Sequence, residues 1–168
     1  MAKEKLEQNQ QEQPMSPLVK AMITGVVGGI FWSLLGYVAY IFSFTKLGPA
    51  LVLQPWAVGD WKTGVLGQFI GIVAIGVLSI PVALIYKGLF SKIEGMWLGI
   101  VYGVGLWALV FFIFNPLFQD LKSVKELGWS TNITTICLYI LYGVFIGYSI
   151  SFDYKEMNRE KSSEMYSN

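Results

Sequence analysis

GMWLGIVYGVG, residues 95–105, sets Gly95, Gly99 and Gly103 four apart among bulky apolar side chains. Residues four apart share one face of a helix, and each glycine costs a helix about 1 kcal/mol relative to alanine. Repeating that cost on one face makes sense where two backbones must come close with no water between them to expel. That is the situation in a bilayer, where helices associate through van der Waals contact and interhelical hydrogen bonds.

The surroundings of this stretch point the same way. Hydrophobic residues make up 54% of the 168 residues and charged residues only 14%, whereas a soluble domain carries about 25% charge. Four apolar segments, near residues 21–44, 63–86, 95–114 and 132–152, contain no Asp, Glu, Lys or Arg. Each reaches the roughly 20 residues a bilayer crossing needs, and none shows the polar face of a soluble amphipathic helix. The expected fold is all-α, a polytopic membrane protein with four transmembrane helices in a bundle. A short disordered tail (1–17) precedes the membrane domain (18–154), and a second tail (155–168) follows it, prolonging the last helix by a turn or two.

Small-residue stripes recur in the other spans: Gly25, Gly29 and Ser33 in the first, Gly64, Gly67 and Gly71 in the second, Gly143 and Gly147 in the fourth. All are expected to serve helix packing. Gln68 is the one amide well inside a span. Its depth matches that of Tyr139 in the fourth span, so a polar contact near Tyr139 or to a backbone carbonyl is expected. Pro81 removes one helical hydrogen bond and is expected to kink the second span.

Residues 47–58 are too short to span and too apolar to stand in water, with Pro49 and Pro55 breaking them. An interfacial or re-entrant loop over the bundle fits that composition. The second long connection has an N-cap candidate in Asn115, Pro116 behind it and a stop at Gly128, with Leu117, Phe118, Leu121, Val124 and Leu127 on one face. It predicts an amphipathic helix of about eleven residues lying flat in the interface. With both termini cytoplasmic, eight Lys and Arg fall inside and four outside, the bias the positive-inside rule describes.

The chain has no histidine and one cysteine, Cys137. No side chain within the spans can act as a base beside Ser33, Ser79 or Cys137, and no metal-ligand set is present. The outer-loop groups Asp60, Asp120, Glu126, Lys62 and Lys122 are charges of a solvated interface. No enzyme activity, cofactor, metal or nucleic-acid partner is expected. The partners left open are membrane lipids, another membrane protein or a second copy of the chain. The function expected is that of a scaffold or accessory subunit of a membrane assembly. The alternative is a small transporter or channel component, or a lipid-handling protein, using Gln68, Pro81 and the 47–58 loop as pathway elements.

The stretches VVGGIFWSLLGYVAYIFSFT, GPALVLQPWAVGDWK and FNPLFQD, set in a four-span chain with a Gln-rich head, resemble the YqhR family of small membrane proteins from spore-forming Gram-positive bacteria. The likeness runs from about residue 15 to 152. It implies a four-span protein of the bacterial cytoplasmic membrane, a family without an assigned molecular activity, and it brings no active-site residues with it.

Overall fold

A computed structural model of the chain describes residues 16–56, 59, 61, 64–90, 96–118, 121 and 124–166. Most of the expected N-terminal tail, Gly95, and the loop charges Asp60, Lys62, Asp120 and Lys122 lie outside the described residues. The described residues form helices joined by turns and loops, with no strand.

Helix α1 spans Pro17–Ile41. It begins earlier than the apolar run because Ser16 caps it, its hydroxyl accepting from the Val19 N–H, with Pro17 at the first helical position. It ends three residues before the apolar run does. Ser43 adopts φ +61°, the left-handed conformation usually left to glycine at a helix end. The Ser43 N–H returns to the Tyr40 carbonyl and the Phe44 N–H to that of Ala39, which closes a Schellman turn. Helix α2 spans Val65–Phe90 and runs through Pro81 unbroken.

Helix α3, Met96–Ala108, widens into a π turn over Leu109–Ile113, where the Phe114 N–H reaches back five residues to the Leu109 carbonyl. Helix α4 is one turn, Val124–Leu127. Helix α5 runs Trp129–Tyr166, several turns past the expected span and well beyond the one or two extra turns anticipated.

Three helices are long and apolar enough to cross a bilayer: Pro17–Ile41, Val65–Phe90 and Trp129–Glu156. The apolar helix Trp97–Ile113 is shorter. At about 1.5 Å per residue it covers roughly 25 Å, against a hydrocarbon core of about 30 Å.

The closest packing joins α1 to α2 and α3 to α5, while α1 also lies along α5. In the first pair a Cβ on Gly25 would stand 2.7 Å from the Ser79 carbonyl oxygen and 2.8 Å from the Ala83 Cβ, and one on Gly29 would strike the Ser79 hydroxyl. Ser33, also buried, turns its hydroxyl back to the Ile30 carbonyl. In the second pair a Cβ on Gly99 would stand 2.7 Å from the Val144 Cα, and one on Gly103 would run into the Tyr139 carbonyl. Gly143 answers from the other side, facing Gly99 and Gly103, and Gly147 faces the Gly99 Cα and the Tyr86 hydroxyl. Gly28, a neighbour of the expected stripe, makes room for the Phe145 ring of α5.

The second span departs from expectation. Its small residues seen to face a helix are Gly76, Ser79 and Ala83, whereas Gly64 and Gly71 do not. Gly64 is exposed, with only the Trp61 carbonyl nearby, Gly67 is buried, and Gly71 faces the loop carbonyl of Pro49. A loop backbone can occupy a glycine notch as readily as a helix can, and spacing alone does not distinguish the two.

The second connection also differs. In place of one flat helix it forms a 3-10 turn, Asn115–Leu117, and the short α4, separated by extended and undescribed residues. Asn115 does not cap a helix; its side-chain amide donates to the Leu121 carbonyl at 3.3 Å. That bond bends the chain inward. Leu121 and Leu127 are buried against Phe111, where an interfacial helix would have left them facing lipid. Gly128, at φ +85°, ends α4 as expected.

The contrast between glycines supplies a test. Gly99→Leu or Gly103→Leu forces backbone against backbone and is expected to destabilise the fold by at least about 2 kcal/mol. Gly105, with nothing within 4 Å of an added Cβ, is expected to accept alanine without loss and to gain up to about 1 kcal/mol of helix propensity. Unfolding of the purified protein by SDS titration measures all three; a stable Gly103→Leu protein would sink this account of the stripe.

Candidate functional site

Helices α2 and α3 do not pack along their backbones in the described residues. The space between them is filled in two different ways, and the polar groups of the interior collect there.

Toward the end that bears the termini, the filling is aromatic. Tyr86 and Phe90 of α2 meet Tyr102 of α3 edge-on, with Tyr86 and Tyr102 centroids 5.0 Å apart. The Tyr102 hydroxyl donates to the Val82 carbonyl at 2.7 Å, a direct interhelical bond. Tyr86 is fully buried and Tyr142 nearly so. Both belong to the core cluster that also includes Trp32 at its margin. The Trp32 Nε1 and the Tyr86 and Tyr142 hydroxyls make no hydrogen bond. Ser151 lies beside the Tyr86 hydroxyl and Ser79 beside that of Tyr142, but neither pair closes to bonding geometry.

Toward the opposite end, the filling is the first loop. Residues Pro49–Leu53 form a 3-10 turn with Pro49, Ala50 and Leu53 buried. The Pro49 carbonyl sits in the notch left by Gly71, and Gly48 lies against the Gln68 amide. Gln68, 6% exposed, accepts from the Ala50 N–H at 3.1 Å through its Oε1. Leu47 and Leu51 pack on the far side against the cluster of Phe111, Leu121 and Leu127, on which Trp107 and Tyr139 also pack. The turn is therefore wedged between α2 and α3.

A second set of bonds fixes the start of the loop. The first turns of α5 carry hydroxyls at Ser130, Thr131, Thr134 and Thr135. Ser130 and Thr134 both donate to the Phe44 carbonyl, at 2.9 and 3.2 Å. Thr131 accepts from the Lys46 N–H at 3.2 Å. Thr135 accepts from the Trp107 indole at 3.2 Å and donates to the Thr131 carbonyl, tying α3 into the same ladder. A buried backbone group left unpaired costs about 1–3 kcal/mol, so these side chains do for the irregular loop what a helix does for itself.

Of the residues singled out from sequence, Gln68 thus accepts from a backbone N–H of the loop, where a partner near Tyr139 or a backbone carbonyl is expected. Its expected neighbour Tyr139 instead turns its ring edge-on to Phe111, with centroids 6.4 Å apart. The hydrogen bond of Gln68 goes to the Ala50 N–H of the loop. The hydroxyl ladder of α5 and the tyrosines at 86, 102 and 142 went unnoticed in the sequence. The signal for the first was there in STNITT (130–135), hydroxyls at i and i+4 heading an apolar helix. Among the described residues, no three His, Cys, Asp or Glu side chains gather to hold a metal.

Residues 1–165 match the family model described as "Conserved membrane protein YqhR". The chain belongs to the YqhR family. It is 50% identical over 151 residues to "Uncharacterized protein YqhR" of Bacillus subtilis (strain 168), covering 90% of this chain and 85% of that protein. No solved structure matches the chain. The membrane character of the YqhR family agrees with the three long apolar helices.

Removing the Gln68 carbonyl should free the wedge. In a Cys137→Ser, Ala50→Cys background, a cysteine at position 50 is expected to resist maleimide while Gln68 is present and to react at least about fivefold faster in Gln68→Leu. That rise corresponds to roughly 1 kcal/mol for one lost hydrogen bond. Equal rates would show that the loop is held without Gln68.

Proposed function

We propose that the chain is a four-span, non-enzymatic protein of the bacterial cytoplasmic membrane, with both termini cytoplasmic, that serves as a scaffold or accessory subunit of a membrane assembly. The observation that carries this reading is where the interior polar groups go. Gln68 and the α5 hydroxyls are spent on pinning a loop against the helices, so the core reads as a body built to hold its shape. What remains to act is the outer surface and the length of α5 beyond the membrane. The apolar helix Trp97–Ile113 falls at the short end of the roughly 17–25 residues that span a bilayer. Local thinning of the bilayer or flanking side chains accommodate a helix of that length at modest cost.

The count of spans is open to direct measurement. Four spans place both loop tips on one side and both termini on the other, whereas three place the termini on opposite sides. In a Cys137→Ser background, an impermeant maleimide applied to intact cells is expected to label Trp56→Cys and to leave Ser162→Cys unlabelled until the cells are opened. Both starting positions are exposed.

A second reading, a small transporter or lipid handler, draws support from one observation: the unpaired Trp32, Tyr86 and Tyr142 groups inside the core. The two are separated by crosslinking in native membranes followed by purification. The scaffold reading expects one protein partner near stoichiometry. Recovery of the chain alone, with one lipid class enriched, would favour the second reading.

A further inference from the structure

The end of the fold that bears the termini holds a charged group the packing leaves unused. The register that sets Gly25 of α1 against Ala83 of α2 brings residue 21 level with residue 87 one turn further out, because the helices are antiparallel. Lys20 and Lys87 are therefore neighbours at the junction where α1, α2 and α5 meet. From α5, Asp153 reaches both: its Oδ1 stands 3.9 Å from the Lys20 Nζ, and its charge also acts on Lys87. One carboxylate thus faces two ammonium groups, and it is closest to Lys20 at the outer limit of an ion pair. The Lys87 Nζ is buried and makes no hydrogen bond.

An ammonium carries three donors, and leaving them unmet away from water is costly. Lys87 as a residue is only half-buried, so its four-carbon stem can swing the ammonium out to the surface, as lysines do at membrane interfaces. The surface it would reach is apolar on the flanking helices, where Leu18 and Val19 on α1 and Tyr148 and Phe152 on α5 are exposed. An acceptor suited to this place has a negative charge, oxygen atoms to take the free donors, and hydrocarbon to lie along these helix faces.

We infer that Lys87, with Lys20 beside it and Asp153 offsetting part of their charge, seats the phosphate of an anionic phospholipid at the terminus-bearing end of the helices. The phosphate takes the donors of Lys87 and loosens the long Lys20–Asp153 contact, and the acyl chains lie against the exposed apolar faces. A free phosphate would satisfy the ammonium equally but would make no use of that apolar surround. The site is independent of whether the protein is a scaffold or a transporter, since it needs only the membrane.

The test is native mass spectrometry of the full-length protein titrated with phosphatidylglycerol or with phosphatidylcholine of the same chains. The wild type is expected to retain phosphatidylglycerol preferentially. Lys87→Gln is expected to bind it about fivefold more weakly, a loss in the range found for one lysine near an anionic surface, and Lys87→Arg to restore it. Phosphatidylcholine binding should not change in either variant. Should Lys87→Gln fail to fold, Lys20→Gln and Asp153→Asn carry the test, the first weakening and the second preserving or tightening phosphatidylglycerol retention. Equal retention of the two lipids by the wild type, or a folded Lys87→Gln protein that binds phosphatidylglycerol as the wild type does, would overturn the site. Inorganic phosphate raising the unfolding temperature while phosphatidylglycerol does no more than phosphatidylcholine would overturn its assignment to a lipid.

Discussion

Backbone-to-backbone approach across glycine is the contact on which the rest of this fold depends. In hydrocarbon two helices gain little by hiding apolar side chains from each other, because lipid is an equally good neighbour. What holds a pair is the number of atoms in close contact, each worth only about 0.1–0.2 kcal/mol, and removing the Cβ layer raises that number. Gly99 and Gly103 against Gly143 and Gly147 do this from both sides; Gly25 and Gly29 do it against Ser79 and Ala83. The two pairs then join through α1 and α5, where Gly28 admits the Phe145 ring.

Tight pairing has a geometrical consequence. Two close pairs that meet along α1 and α5 leave α2 and α3 too far apart for backbone contact, and something must occupy the space. Large aromatic side chains fill one half and a loop fills the other. A loop brought into such a place carries backbone groups that lipid cannot satisfy. That explains why polar side chains are found exactly where the loop touches the helices: Gln68 for the Ala50 N–H, Thr131 for the Lys46 N–H, and Ser130 with Thr134 for the Phe44 carbonyl. The glycine at position 71 belongs to the same logic, since it admits the Pro49 carbonyl.

Much of this was legible in the residues. The apolar runs without charge located the helices to within a few residues, except at the end of α5, which runs on to Tyr166, and the four-residue glycine spacing identified the faces of α1, α3 and α5 that approach a neighbour. The low charge and the absence of histidine limited the chemistry. Boundaries were misjudged where local capping overrode hydrophobicity, as with Ser16 before α1 and the left-handed Ser43 after it. The second connection was misjudged for a different reason. Leu117, Leu121, Val124 and Leu127 have helical spacing, but Phe111 offers two of those leucines a protein surface, and the chain bends at Asn115 to reach it.

The sequence by itself determined that this chain is helical and membrane-embedded and which helix faces carry no side-chain bulk, because hydropathy and periodicity are properties of single segments. It could not determine which segment fills a given notch. Gly71 reads the same whether a helix or a loop stands opposite, and Gln68 reads the same whether its partner is Tyr139 or Ala50. Those choices fell to the tertiary structure, which alone sets how wide a gap the glycine-bound pairs leave and how far an intervening loop can be drawn into it.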